Sequence, residues 1–191
     1  MSHIDEMKTF IPVRIAVLTV SDTRTLADDR SGDTLVERLT TAGHILADRV
    51  IVPDDVSAIQ STVRRWITDE TVDVVISTGG TGFTGRDVTP EAVEPLFDKR
   101  MDGFSILFHM QSSAKIGTST IQSRATAGLA GTTFIFAVPG SPGACRDAWD
   151  GILAAQLDYR HRPCNFVEIM PRLDEHLRRG ATSSPDPAPA K

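Results

Sequence analysis

Four short apolar runs most narrow what this 191-residue chain can fold into. They are Arg14 to Val20, His44 to Val52, Val74 to Thr78 and Phe134 to Val138, each closed by a polar or glycine-rich break and followed by residues at helical spacing. Runs of this length without strict polar alternation are what strands covered on both faces require. Between them, Leu35, Val36 and Leu39 predict a helix over 33–42 that stops at Gly43, and Val56, Ile59, Val63, Trp66 and Ile67 predict one reaching about Glu70. A helix is expected to start at Pro90 with Thr89 as its N-cap and an internal Pro95, and another is marked by Ala144, Ala148, Trp149, Ile152, Leu153 and Leu157. The stretch 101–130 is harder to read. Phe104, Leu107 and Phe108 suggest a helix, and the small residues of 117–131 suggest a short helix packed closely on a neighbour.

Alternating strands and helices with crossovers of this length imply an α/β three-layer sandwich, a mostly parallel sheet covered by helices on both faces. In such a sheet the strand-to-helix loops open on the carboxyl edge, so those at Ser21, Asp54, Gly79 and Pro139 can converge on one crevice. An N-terminal arm (1–11) precedes a single domain (12–170). From Pro171 the chain turns to charged residues and then to a Ser/Pro/Ala-rich stretch too poor in apolar residues to fold, so 171–191 is expected to be a mostly disordered tail, from Gly180 onward above all.

A net charge of −5 argues against a nucleic-acid partner that needs a broad basic surface. An anionic small molecule would have to be met locally, by backbone amides, a metal and cations such as Arg24, Arg86, Lys115 and Arg124. Cys145 and Cys164 are far apart and in no metal-ligand spacing, and the N-terminus lacks a secretory apolar core, which together suggest a reducing, cytoplasmic setting. No apolar run approaches the length of a membrane span.

The chemistry is concentrated after the third run, in Ser77-Thr78-Gly79-Gly80-Thr81-Gly82-Phe83-Thr84-Gly85-Arg86-Asp87-Val88-Thr89-Pro90-Glu91. Glycines let backbone amides approach phosphate oxygens, and an adjacent acid can hold a divalent metal. The loop is not a P-loop, because no Lys-Ser or Lys-Thr follows a G-x-x-x-x-G. Gly80, Gly82 and Gly85 do spell G-x-G-x-x-G, but a dinucleotide loop opens its helix within the motif, whereas Thr89-Pro90 places the helix start beyond it. A nicotinamide-binding dehydrogenase is therefore the outlying reading. A plain glycine turn, with Asp87 as a solvated or capping residue, is the bland one.

Taken together, Val20-Ser21-Asp22, the glycine motif with its Asp-x-Thr-Pro continuation, Gln122-Ser123-Arg124 and Val138-Pro139-Gly140-Ser141-Pro142 resemble the MoaB/MogA family of molybdenum cofactor biosynthesis. The resemblance covers about Pro12 to Phe166, and 117–124 with Arg162-Pro163-Cys164-Asn165-Phe166 looks like the MoaB branch. It implies Mg²⁺-dependent adenylylation of molybdopterin by ATP, with release of pyrophosphate. The alternative is a molybdopterin-binding or carrier protein without turnover.

By the family pattern, Asp54 and Asp87 are the catalytic carboxylates, and Asp87 is the metal contact. Thr78, Gly79, Gly80, Thr81, Gly82 and Thr89 belong to the phosphate-holding loop. Ser21 and Asp22 orient nucleotide or pterin, Ser123 and Arg124 meet the pterin phosphate or its edge, and Pro139, Gly140, Ser141 and Pro142 wall the pocket. Asp55, by contrast, reads as a helix cap, and an ordinary helix-surface ion pair is an equal reading of Arg124. The family also implies a homotrimer or homohexamer and a molybdenum-insertion protein as a partner.

Overall fold

The structure, a computed structural model, describes residues 3–175, so the stretch from Gly180 lies outside the described residues. The apolar runs form β2 (Arg14–Val20), β3 (Ile45–Val52), β4 (Val74–Thr78) and β7 (Thr133–Val138). A two-residue β1 (His3–Ile4) precedes them and pairs antiparallel with β8 (His161–Arg162), tying the N-terminal arm to the far end of the domain.

The main sheet has six strands in the order β3-β2-β4-β7-β6-β5, where β5 is Lys99–Arg100 and β6 is Thr126–Ala130. The β2/β3, β2/β4 and β4/β7 pairs are parallel, and β6 runs antiparallel to both of its neighbours.

Each parallel strand divides its side chains between two cores, as the continuous apolar runs require. Ile15, Val17, Val74, Ile76, Phe134 and Phe136 pack beneath α1 (Arg30–Thr41), α4 (Asp102–Ile116) and α5 (Pro142–Ala148). Ala16, Leu18, Val75, Ile135 and Ala137 pack beneath α2 (Val56–Ile67) and α3 (Thr89–Val93). This is the expected three-layer sandwich. Beyond α5 the chain continues through a π-turn (Trp149–Leu153), α6 (Ala154–Gln156) and α7 (Phe166–Ile169), and Leu173 still packs on the first core.

Local chemistry moves several boundaries. α1 begins at Arg30 rather than Asp33, because Asp29 caps it by accepting from the Gly32 amide. α2 ends at Ile67, a turn before Glu70. Thr89 is not an N-cap. Val88 holds that position without a side-chain bond, α3 is five residues long, and Pro95 falls in a following 3-10 turn.

The largest difference lies in 117–131, where a 3-10 turn (Gly117–Gln122) and strand β6 stand in place of a short helix. β6 is buried throughout but built of Thr, Ala, Gly and Leu, because Phe97 lies across it. A Cβ on Gly128 would sit 2.4 Å from that ring.

Candidate functional site

β2 leads through α1 on one face to β3 at the sheet edge, and β3 returns through α2 on the other face to β4, on the opposite side of β2. The order therefore reverses between β2 and β4, and the crevice outside their carboxyl ends is where ligands of open α/β sheets bind.

The four loops do converge there. The Ser21 amide donates to Val52 O (2.9 Å), and the Asp22 and Asp54 amides each donate to the other residue's carboxylate (both 3.1 Å). The Gly79 amide donates to Val138 O (3.1 Å), with its Cα so close to the end of β2 that an added Cβ would lie 2.2 Å from Val20 O. Gly140 crosses Gly79 at similarly short range, an added Cβ reaching 3.0 Å from the Gly79 Cα.

The glycine loop turns its carbonyls into the protein. Gly79 O accepts from Thr89 Oγ1 (2.8 Å), Gly80 O from the Thr89 amide (2.9 Å), Thr81 O from the Arg124 amide (2.9 Å) and Gly82 O from Arg124 Nε (2.8 Å). Gly79 and Gly80 have φ of +102° and +63°, the left-handed values that let successive amides face one way. Among the described residues, the Gly80 and Thr81 amides have no protein acceptor. Two adjacent free donors at a sheet switch point make a nest of the kind that can accept an anion.

Beside the nest stand three acids. Asp22 is gripped by both sides of the Arg86 fork (2.8 and 2.7 Å), which holds its carboxyl below the usual range. Asp54 is pushed up, first by burial and then by the charge of Asp22, with Asp87 adding to it. Asp87 is pushed up by burial, but the Thr84 hydroxyl and amide (2.6 and 2.8 Å), with the Gly82 amide and the charge of Arg124, outweigh that and leave it lowered. Asp54 Oδ2 accepts from the Asp22 amide and Asp87 Oδ2 from Thr84, while Asp54 Oδ1 accepts no hydrogen bond among the described residues.

That donor set fits Mg²⁺, which takes one or two carboxylates and completes its shell with water and substrate phosphates. No group of three or more His, Cys, Asp or Glu among the described residues forms an all-protein cage, which Mg²⁺ does not need.

The other expected residues divide by what they touch. Thr78 and Thr89 are buried, and their hydroxyls serve the loops, Thr78 donating to Pro139 O (3.0 Å) and Thr89 to Gly79 O. Ser141 caps α5 by accepting from the Ala144 amide (3.1 Å), with Pro142 opening that helix. Arg124 is not on a helix surface. It pairs with Glu91 on α3, and its other guanidinium nitrogens bond Gly82 O and Asp87 O of the glycine loop. Ser123 leans on α4, its carbonyl 3.0 Å from His109 Nε2. Asp55 caps α2 through the Ala58 amide (2.8 Å), leaving Asp54 to the crevice. Cys145 is buried against Thr78, its thiol pushed by burial up to about 11, so it is no nucleophile.

Sequence reasoning passed over Asp29 and Ser31. Asp29, 1% exposed, binds Thr19 Oγ1, Arg49 and the Gly32 amide, and Ser31 donates to Gly140 O (3.0 Å). With Ser21, Arg24, Gly79 and Gly140 they line a polar cavity of about 60 Å³ at the switch point. An aspartate just before an apolar helical stripe is a capping signal that could have flagged the first of them. Next to this cavity, a groove of about 530 Å³ runs from Asp22 and Arg24 along Val50 and Val52 of the edge strand to Pro53 just past its end.

Comparison with known proteins gives the chain relatives over most of its length. Residues 16–159 match the family model described as "Probable molybdopterin binding domain". The chain is 54% identical over 157 residues to Molybdenum cofactor biosynthesis protein B of Escherichia coli (strain K12), covering 82% of this chain and 92% of that protein. It superposes on a crystal structure of a Molybdenum cofactor biosynthesis protein B with a TM-score of 0.79 and 40% identity, covering 88% of this chain and 99% of that one. Against the tungsten cofactor synthesizing protein MoaB from Pyrococcus furiosus the TM-score is 0.67 at 35% identity, over 75% and 91% of the two chains. The chain belongs to the MoaB/MogA family of molybdenum cofactor biosynthesis proteins.

Proposed function

We propose that the protein adenylylates molybdopterin: an oxygen of the pterin's terminal phosphate attacks the α-phosphorus of ATP, the bond from that phosphorus to the oxygen bridging to the β-phosphate breaks, and pyrophosphate leaves. The observation that carries this reading is the glycine loop with all four carbonyls held inward and two amides free, set beside Asp54 and Asp87. Nucleotidyl transfer needs in-line positioning and charge neutralisation rather than a protein nucleophile. The Gly80 and Thr81 amides donate to phosphoryl oxygens, and the small cavity under Gly79 and Gly140 admits a group about the size of one phosphate. The groove along β3 has the volume to seat a nucleoside.

Asp54 and Asp87 would hold Mg²⁺ through their carboxylates, and the ion, when bound, neutralises charge on the phosphoryl groups. Arg86 balances Asp22, but two acids beside an anion would repel it unless a cation intervenes, and a pure pterin carrier would gain by losing them. Retention of both favours turnover over the carrier reading. Purified protein incubated with molybdopterin, ATP and Mg²⁺ is expected to release pyrophosphate. Tight pterin binding without release above background would establish the carrier instead.

A homotrimer or homohexamer goes with this reading. On α4 and just beyond it, Ile106, Leu107, Met110, Ile116 and Ile121 are exposed in the single chain, an apolar face suited to a second copy. Light scattering at micromolar concentration should find no monomer. Adenylyl-molybdopterin, the product, is a substrate for metal insertion, so a molybdenum-insertion protein is the expected partner.

A further inference from the structure

The geometry points to Arg124 as a positioning residue that keeps the carbonyl side of the glycine loop turned inward, so that the Gly80 and Thr81 amides stand free for phosphoryl oxygens. The inference rests on reading the loop as a phosphate site, and it gives Arg124 a role other than direct contact with the pterin phosphate.

Arg124 reaches the loop at three points and α3 at a fourth. Its amide donates to Thr81 O (2.9 Å), Nε to Gly82 O (2.8 Å) and Nη2 to Asp87 O (2.9 Å), while Nη1 pairs with Glu91. The guanidinium carbon lies 5.4 Å from the centre of the Phe83 ring, covering the tip of the same loop. The first three bonds span 81–87, so one side chain and its amide tie the nest to the turn that presents the Asp87 carboxylate. A guanidinium committed along three of its edges to protein acceptors, half-buried against an aromatic ring, is built to hold backbone rather than to wait for a ligand.

The clamp is itself anchored from outside the loop. Ser105 Oγ on α4 donates to Ala125 O (2.5 Å), His109 Nε2 lies 3.0 Å from Ser123 O, and the β6 ladder begins at Thr126. Arg124 therefore carries the rigidity of the α4/β6 unit into a glycine segment that has little of its own.

Lysine at this position keeps the charge and can pair with Glu91, but it offers one ammonium where three separate acceptors must be met. The test is Arg124→Lys beside Glu91→Gln, with amide hydrogen exchange over 79–88 in the ligand-free protein and titration with inorganic pyrophosphate. For Arg124→Lys we expect exchange in that segment at least tenfold faster, unchanged exchange in β2 and β4, and pyrophosphate affinity lowered at least tenfold. Glu91→Gln, which leaves all three carbonyl bonds in place, is expected to stay within twofold of wild type in both readouts.

Wild-type exchange in Arg124→Lys overturns the positioning role, whether or not its affinity falls, because a loss of affinity alone would mark a direct anion contact. Fast exchange with wild-type affinity overturns it too, since the loop would then not need to be held. A wild-type protein that fails to bind pyrophosphate while Arg124→Lys exchanges fast would sink the phosphate reading itself and reduce the clamp to a structural bond.

Discussion

Replacing Gly79 by alanine should damage the protein at the point where two strands and two loops meet. At φ +102° an L side chain is strained whatever the space around it, a cost of order 1–3 kcal/mol. The added Cβ would also lie 2.2 Å from Val20 O, a carbonyl at the end of a strand paired on both sides, so relief requires moving β2 or the loop. Together these should cost roughly 3 kcal/mol or more, about a hundredfold in the folding equilibrium.

Gly85 is the control. It lies in the same loop, yet a Cβ there meets nothing within 4 Å and the residue has no positive φ, so Gly85→Ala should stay within about 0.5 kcal/mol of wild type. Urea unfolding at one fixed protein concentration compares the two, and pyrophosphate titration of whatever Gly79→Ala remains folded should show at least a tenfold loss. A Gly79→Ala variant unfolding at the wild-type midpoint, or a Gly85→Ala variant equally crippled, would refute the claim that the loop is threaded against the end of β2.

The neighbouring acids should separate: Asp55→Ala loses the α2 cap and lowers the unfolding midpoint while sparing pyrophosphate release, whereas Asp54→Asn abolishes release without loss of stability, because burial and Asp22 already oppose its charge. The reverse pattern would exchange their roles. His44 is buried and accepts from the Val13 amide (3.1 Å), and burial pushes its pKa down to about 4. Below about pH 6.5 the unfolded chain takes a proton there that the folded chain refuses, so stability is full above that value and falls by roughly 2 kcal/mol by pH 5. His44→Gln, which keeps an acceptor, should flatten that part of the pH profile, and an unchanged slope would count against it. With a thiol reagent at neutral pH, exposed Cys164 should react at once and buried Cys145 only on unfolding, so two equally fast equivalents would contradict the packing of α5.

Legibility in the sequence followed the physics of each segment. β2, β3, β4 and β7 announced themselves because strands buried on both faces cannot hide their apolar residues, and the carboxyl-edge rule then placed Ser21, Asp54, Gly79 and Pro139 together. β6 did not, because Phe97 fills the volume its own side chains would have taken, leaving an Ala/Gly composition with no strand signature. Asp54 and Asp55 were separable because only one of two adjacent residues can face the α2 amides. The roles of Thr89 and Arg124 were not legible. Each works by bonding a carbonyl that lies 10 or more residues away, and such partners exist only once the chain has folded. For the same reason Arg86 read as a loose cation until Asp22, on another loop, was brought against it.

The most direct test of the central claim, that glycine amides and a pair of acids form one nucleotidyl-transfer site, is pyrophosphate release from ATP and molybdopterin by Asp87→Asn, measured with Mg²⁺ alongside pterin affinity. Release should vanish while pterin binding stays within several-fold of wild type, since the substitution removes the proposed metal ligand and leaves the amides of Gly80 and Thr81 in place. Release at the wild-type rate would show that Asp87 has no part in the chemistry and that this site is not where transfer occurs.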